Sequence, residues 1–190
     1  MTKEEVRKQL RTARRDHVTA LPDSMRALVF HHPPAPLLEM IPKGSAIGLY
    51  RANPFEAPTA SYAKFFLDRG HEIALPRFAS RNAPMEFARH TDPYDEEDLE
   101  VGPFGLLQPI GDASILEPEI LLVPLVGFTG RGERLGQGGG HYDRWLADRL
   151  GATTIGLAWD CQLAETLPIE DHDQPMRAVV TPTRLYGPFS

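Results

Sequence analysis

The chain has 190 residues, a net charge of −6 and a single cysteine, Cys161. The acidic balance argues against broad nucleic-acid binding, so any anion site has to be a local patch. One cysteine cannot close an intrachain disulfide, which fits a reducing cytoplasm, and no apolar run is long enough to span a bilayer or serve as a secretion signal. Apolar residues make up 42% and charged residues 24%, an ordinary balance for one globular domain spanning residues 1–190.

Residues from Lys3 to about Ala20 read as a strongly basic helix, with Val6, Leu10, Ala13 and His17 tracing one face. A second helix is expected near Asp23–Ser24, disturbed by His31-His32-Pro33-Pro34. Ser45 to Tyr50 is a short strand, and Pro58 to Arg69 a helix with Tyr62, Phe65 and Phe66 inward, closed by Gly70. Strands follow at His71–Leu75 and Met85–Arg89, then an acidic solvated stretch at Asp92–Glu100 and a turn-rich one at Gly102–Pro118. Glu119 to Gly127 is a buried strand. Beyond it, Tyr142, Trp145, Leu146 and Leu150 fall at helical spacing. A strand at Thr153–Ala158, a short helix near Gln162–Glu165 and a strand around Ala178–Thr181 complete the chain. Alternating strands and helices imply an α/β, three-layer sandwich with a mostly parallel, Rossmann-like central sheet, whose ligands sit at the carboxyl ends of the strands.

The densest feature is Arg134-Leu135-Gly136-Gln137-Gly138-Gly139-Gly140-His141-Tyr142-Asp143, a glycine-rich loop expected between strand and helix. Its spacing matches neither a Walker A loop nor a dinucleotide fingerprint. Glycine richness alone leaves two readings, a backbone cradle for an anion or a tight connection packing helix on sheet. Arg134 and Asp143 favour the anion, since a phosphate site wants a cation and Mg²⁺ wants a carboxylate.

Val123-Pro124-Leu125-Val126-Gly127-Phe128 followed by Gly132-x-Arg134-Leu135-Gly136-x-Gly138-x-Gly140 and Tyr142-Asp143 resembles the signature of the 5-formyltetrahydrofolate cyclo-ligase (5,10-methenyltetrahydrofolate synthetase) family. Lys3-x-x-x-Arg7, Glu56 after the first strand, Leu75-Pro76, Met85-Glu86-Phe87, Gly105-x-x-Gln108-Pro109, Gly156-Leu-Ala-Trp159, Gln162, Leu167-Pro168 and His172-Asp173 follow the family's order. Gln137, Gly139, His141 and Arg177 depart from its usual residues.

The resemblance implies an ATP- and Mg²⁺-dependent ligase that converts 5-formyltetrahydrofolate to 5,10-methenyltetrahydrofolate. Lys3 and Arg7, a solvated basic face by residue type alone, would reach the triphosphate. Arg134, Leu135 and Gly136 to Gly140 with Gln137 would cradle it, beside His141 and Tyr142, and Asp143 and Asp173 would hold Mg²⁺. Asp143 could otherwise cap a helix and Asp173 order a turn. Arg51, Glu56 and Gln137 to His141 would face the folate, with Glu56 accepting from the pterin N–H groups. Arg134, His141 and Tyr142 would serve catalysis, His141 by donating to the reacting oxygen. The other histidines show no metal-ligand spacing, Trp145 and Trp159 are core, and Cys161 is a small buried hydrophobe. Neither nucleic acid nor membrane is expected as a partner, and the state expected is a monomer or weak homodimer in the cytoplasm. A sugar-phosphate isomerase or CoA transferase would need its own base or nucleophile beside the loop, where only Glu133 lies. A nucleotide- or folate-binding module without turnover is the remaining alternative.

Overall fold

The structure is a computed structural model describing residues 1–190. Helix α1 (Lys3–Ala20) begins at a capping box, in which the Thr2 side chain accepts from the Glu5 amide and Glu5 accepts from the Thr2 amide. Short helices α2 (Asp23–Leu28) and α3 (Ala35–Leu38) follow, the second tolerated beside Pro33-Pro34 because proline suits a helix start. Strand β1 (Ile47–Gly48), helix α4 (Ala60–Asp68) and strand β2 (Ile73–Arg77) form the first crossover. Then come β3 (Glu86–Arg89), β4 (Leu99–Val101), β5 (Leu107–Pro109), β6 (Ile115–Leu116), β7 (Ile120–Val123), β8 (Gly127–Phe128) and β9 (Arg134–Leu135). Helix α5 (His141–Ala147), β10 (Thr153–Leu157), a single tight turn at Asp160–Gln162, β11 (Ala178–Val180) and β12 (Leu185–Tyr186) end the chain.

The main sheet runs in the order β12-β11-β10-β7-β1-β2-β3-β6. β2, β1, β7, β10 and β11 are mutually parallel, and the antiparallel β12, β3 and β6 extend the edges. Among the parallel strands, the second in chain order lies beside the first and the remainder continue on the other side. That is the doubly wound arrangement with a switch point between β1 and β7, where the carboxyl ends of diverging strands leave a crevice.

Both faces of the sheet are covered, so β7 reads as an unbroken apolar run. Ile120 and Leu122 join a core shared with Val18 of α1, Leu37 of α3 and Tyr62 and Phe66 of α4. Leu121 and Val123 join the opposite core with Trp145 and Leu146 of α5. The expected three-layer arrangement follows from these two cores.

Several local expectations are corrected. On α1, Val6, Leu10 and His17 are half-buried as expected, but Ala13 is exposed and Lys3, Arg7, Arg14 and Val18 also turn inward, because the site behind the helix supplies carbonyl and carboxylate partners for the cations. Pro76 lies inside β2, not after it; beyond Ala74 that strand has only β3 as a neighbour, and proline is tolerated at such an edge. The glycine-rich loop does not run directly from the main sheet to the helix, since the hairpin β8–β9 intervenes. Helix α5 stops at Ala147 and Leu150 is exposed, because Arg149 folds back to donate to the Trp145 carbonyl at 3.1 Å and to Glu117 at 2.7 Å. The short helix expected at Gln162–Glu165 is instead the turn at Asp160–Gln162, and β4, β5, β6 and β12 arise in stretches read as turns or left unassigned. No helix is long and apolar enough to cross a membrane.

Candidate functional site

At the switch point lies a cavity of about 1040 Å³. Tyr50 and Arg51 reach it from the end of β1, Leu75 and Pro76 from β2, and Pro124 from β7, so the strand ends place it where the topology requires. Lys3, Arg7, Arg51, Glu56, every residue from Arg134 to Asp143, and Asp173 all line it. Residues more than a hundred positions apart thus share one chamber.

Lys3, Arg7 and Arg134 make the wall around the glycine loop cationic. Gly138 (φ 112°) and Gly140 (φ 69°) hold conformations that side-chain-bearing residues rarely adopt, which turns the loop back over the start of α5. Arg7 Nε donates to the Gly136 carbonyl at 2.9 Å, and Arg11 donates to the Gln137 carbonyl at 2.8 Å, so α1 clamps the loop. Arg134, buried, donates to Asp143 Oδ1 at 2.8 Å and lies 5.8 Å from the centre of the Tyr142 ring, and its Nε has no partner. Asp143 Oδ1 also accepts from the Gln174 amide at 3.0 Å. Gly140 starts the helix without a side-chain cap, so the alternative capping role of Asp143 is not realised.

Lys3 Nζ donates to Asp173 Oδ2 at 2.7 Å and lies 3.4 Å from Glu170. Asp173 also orders its own turn, accepting from the Glu170 amide at 2.8 Å. Burial works against its ionisation, but the Lys3 and Glu170 hydrogen bonds and the nearby positive groups hold it below the usual carboxylate range. Ligand atoms of Glu170, His172 and Asp173 lie within 4.8 Å of one another, a grouping that includes a histidine set aside on spacing alone.

Glu56, Tyr142 and His141 line the same cavity. Glu56 accepts from the Asn53 amide at 3.0 Å and faces Gln137 Nε2 at 3.4 Å. Burial pushes its carboxyl up, opposed by the Asn53 hydrogen bond and the charge of Arg14. Burial and the Glu56 charge push the Tyr142 phenol up as well, so it stays a donor. The His141 ring packs against both Phe78 and Phe104, at 4.8 Å and 5.5 Å between centres, and those two rings touch each other at 5.0 Å. Gln108 fixes Phe78 by hydrogen bonds to its amide and carbonyl, each at 3.0 Å. Arg144 donates to His141 Nδ1 at 3.1 Å, which leaves the proton of the neutral ring on Nε2, and burial with the Arg144 charge lowers the pKa. A Cβ on Gly139 would stand 2.9 Å from that Nε2, so the departure to glycine makes room for the departure to histidine.

Arg51 lines the cavity but pairs with Glu96. Trp145 and Trp159 are buried, whereas Cys161 is only half-buried. Glu170, Arg11, Arg14, Phe78 and Phe104 were not singled out by the sequence, and His172 entered only through the order of the family's motifs, with no role. The spacing of Arg11 and Arg14 from Lys3 and Arg7 was the one available signal, since all four fall within one broad face of a helix.

A doubly wound α/β protein with a cationic, glycine-rich crevice at its switch point is the class that fold and cavity define. Within that class, the chain belongs to the 5-formyltetrahydrofolate cyclo-ligase family, whose model matches residues 1–182. It is 49% identical over 70 residues to the 5-formyltetrahydrofolate cyclo-ligase of Escherichia coli K12, a stretch covering 36% of this chain and 38% of that protein. The Mycolicibacterium smegmatis 5-formyltetrahydrofolate cyclo-ligase is 32% identical over 123 residues, 62% of this chain and 63% of the relative. These aligned stretches span less than two thirds of either relative. An NMR structure of Aquifex aeolicus 5,10-methenyltetrahydrofolate synthetase superposes with a TM-score of 0.77 at 27% identity, covering all of this chain and 94% of that one. The Mycoplasma pneumoniae 5,10-methenyltetrahydrofolate synthetase shares the fold, with a TM-score of 0.69 at 21% identity and coverage of 94% of this chain and 98% of the other.

Proposed function

We propose that the protein couples ATP cleavage to closure of 5-formyltetrahydrofolate into 5,10-methenyltetrahydrofolate, releasing ADP and phosphate. The observation that carries this reading is the lining of one cavity, which brings Lys3, Arg7, Arg134 and a glycine loop together with Glu56, Tyr142 and a His141 packed on aromatic rings. Family membership supplies the reactants.

The donors fit the groups the reaction needs. Arg134 Nε is a buried donor without a protein partner, which suits a phosphate oxygen, and the backbone of Gly136 to Gly140 lines the same cavity and can add amide donors. Asp143 and Asp173 are hard oxygen donors on the rim of that cradle, as Mg²⁺ prefers. When bound, Mg²⁺ would neutralise charge on the triphosphate and the departing ADP.

A formamide carbon is a poor electrophile because the N5 lone pair is delocalised into its carbonyl. In the proposed sequence the formyl oxygen attacks the γ-phosphorus, the bond to ADP breaks, and that oxygen becomes part of a leaving group. N10 then attacks the activated carbon, loses its proton, and phosphate departs with the formyl oxygen. The chain contributes alignment and charge: Lys3, Arg7 and Arg134 hold the phosphates, Glu56 accepts from the pterin, and His141 Nε2–H donates to the reacting oxygen. Residues 1–190 act as one domain, a monomer or weak homodimer of the cytoplasm.

Mixing purified protein with ATP, Mg²⁺ and 5-formyltetrahydrofolate, and following the ultraviolet absorbance of the methenyl product, tests the reading. Product is expected only with ATP present; absence of product with all components supplied overturns it.

A further inference from the structure

Glu56, half-buried, stands in a stretch without regular structure, residues 52–58. Asn53 and Glu56 line the main cavity and also a second one of about 350 Å³, whose wall includes Pro54, Pro58 and Trp159. With two cavities bordering the stretch, packing alone leaves it room to shift. Asn53 Oδ1 accepts from the Phe55 and Glu56 amides at 2.9 Å and 3.0 Å, which shapes the turn without fixing where it stands in the molecule.

Two bonds fix it from outside. The Trp159 indole Nε1 donates to the Phe55 carbonyl at 3.0 Å, and the Tyr50 hydroxyl donates to the Ala57 carbonyl at 2.5 Å. Those carbonyls belong to the two chain neighbours of Glu56. Apart from the Gln137 contact on the Glu56 carboxylate, residues 52–58 make no other hydrogen bond to the rest of the protein. Trp159 is 2% exposed and Tyr50 4%. Each stands two residues beyond the end of a parallel strand bordering β7, Trp159 after β10 and Tyr50 after β1. The Trp159 amide donates to Gln162 Oε1 at 2.7 Å, and Gln162 Nε2 donates to the Leu125 and Val126 carbonyls at 2.7 Å and 3.1 Å, so Trp159 is itself tied to the segment after β7. Burial pushes the Tyr50 phenol well up, so it stays a donor. A buried indole or phenol needs some partner, and one partner alone says little. Here two such donors, from different strand ends, converge on the carbonyls flanking one carboxylate.

We propose that Trp159 and Tyr50 are positioning residues for Glu56: their two hydrogen bonds hold the stretch so that the carboxylate is presented to the pterin. This rests on the folate-binding reading of Glu56. Both residues act through the loop, without donating to substrate.

Tyr50→Phe and Trp159→Phe each remove a donor and keep a ring. Titration of the full chain is expected to show the Kd for 5-formyltetrahydrofolate raised about tenfold in either variant, with the ATP Kd within about twofold of the parent. In a Glu56→Gln background the same substitutions should change the folate Kd by less than about twofold, because their route is already cut. Hydrogen exchange at the Phe55 and Glu56 amides should quicken in either variant while α4 keeps the parent's protection. Should Trp159→Phe not fold, Tyr50→Phe, which loses a single oxygen, carries the same comparison. Equal losses for both ligands, additive effects in the Glu56→Gln background, or unchanged exchange at the two amides would overturn the proposal. If the parent binds no folate, the functional reading fails, and the exchange comparison decides by itself whether the two donors hold the loop.

Discussion

At the scale of single residues, the site places two carboxylates under opposite pressure. Asp173 is held below the usual carboxylate range by Lys3 and the Glu170 amide despite its burial, whereas burial pushes Glu56 up. A group raised in the folded state contributes stability below its unfolded pKa, and that contribution is lost as pH rises through the folded value. Glu56→Gln should therefore unfold at a slightly higher temperature than the parent at neutral pH while binding folate much more weakly. Parallel melting and folate titration check this; a destabilised variant with intact affinity would contradict it. Asp143 offers a second separation. Replacing its carboxylate by an amide would keep the acceptor for Arg134 and the Gln174 amide but remove the charge offsetting a guanidinium that is only 4% exposed. Asp143→Asn should cost about 1–3 kcal/mol of stability and most of the turnover. Excess Mg²⁺ should recover part of the turnover and none of the stability; a fully active variant would remove the metal role.

At the scale of elements, α1 brings two cations to the cavity, because its first turn carries Lys3 and its second Arg7. Thr2→Ala removes the capping box and should cost about 0.5–2 kcal/mol, with the frayed first turn raising the ATP KM and sparing the folate KM. Equal effects on both would contradict that division. The length of this helix and part of its inward face were legible in the sequence, but the inward turn of its arginines was not. Burial of arginines depends on partners at Leu125 and Gly136, far away in the chain, and apolar periodicity carries no trace of them. β7 was legible because burial on both faces makes it uniformly apolar. The hairpin β8–β9 was not, since its strands are two residues each and its turn glycines merge with those of the loop. Arg134 to Asp143 stood out because close backbone approach there demands glycine, whereas Glu170 and His172 sit in a polar loop with no periodic signal.

At the scale of the whole molecule, the doubly wound order brings strand ends, helix α1, the glycine loop and the segment around Asp173 to one crevice, with its cations and its aromatic cluster side by side. The central claim is that the γ-phosphate passes between them onto the formyl oxygen. The most direct measurement starts from 5-formyltetrahydrofolate carrying a heavy-oxygen label in its formyl group and examines the released phosphate by mass spectrometry after one round of turnover. Label in inorganic phosphate, in equal amount to the methenyl product, is the expected result. Unlabelled phosphate accompanying normal product formation would contradict transfer to the formyl oxygen and require a different route to ring closure.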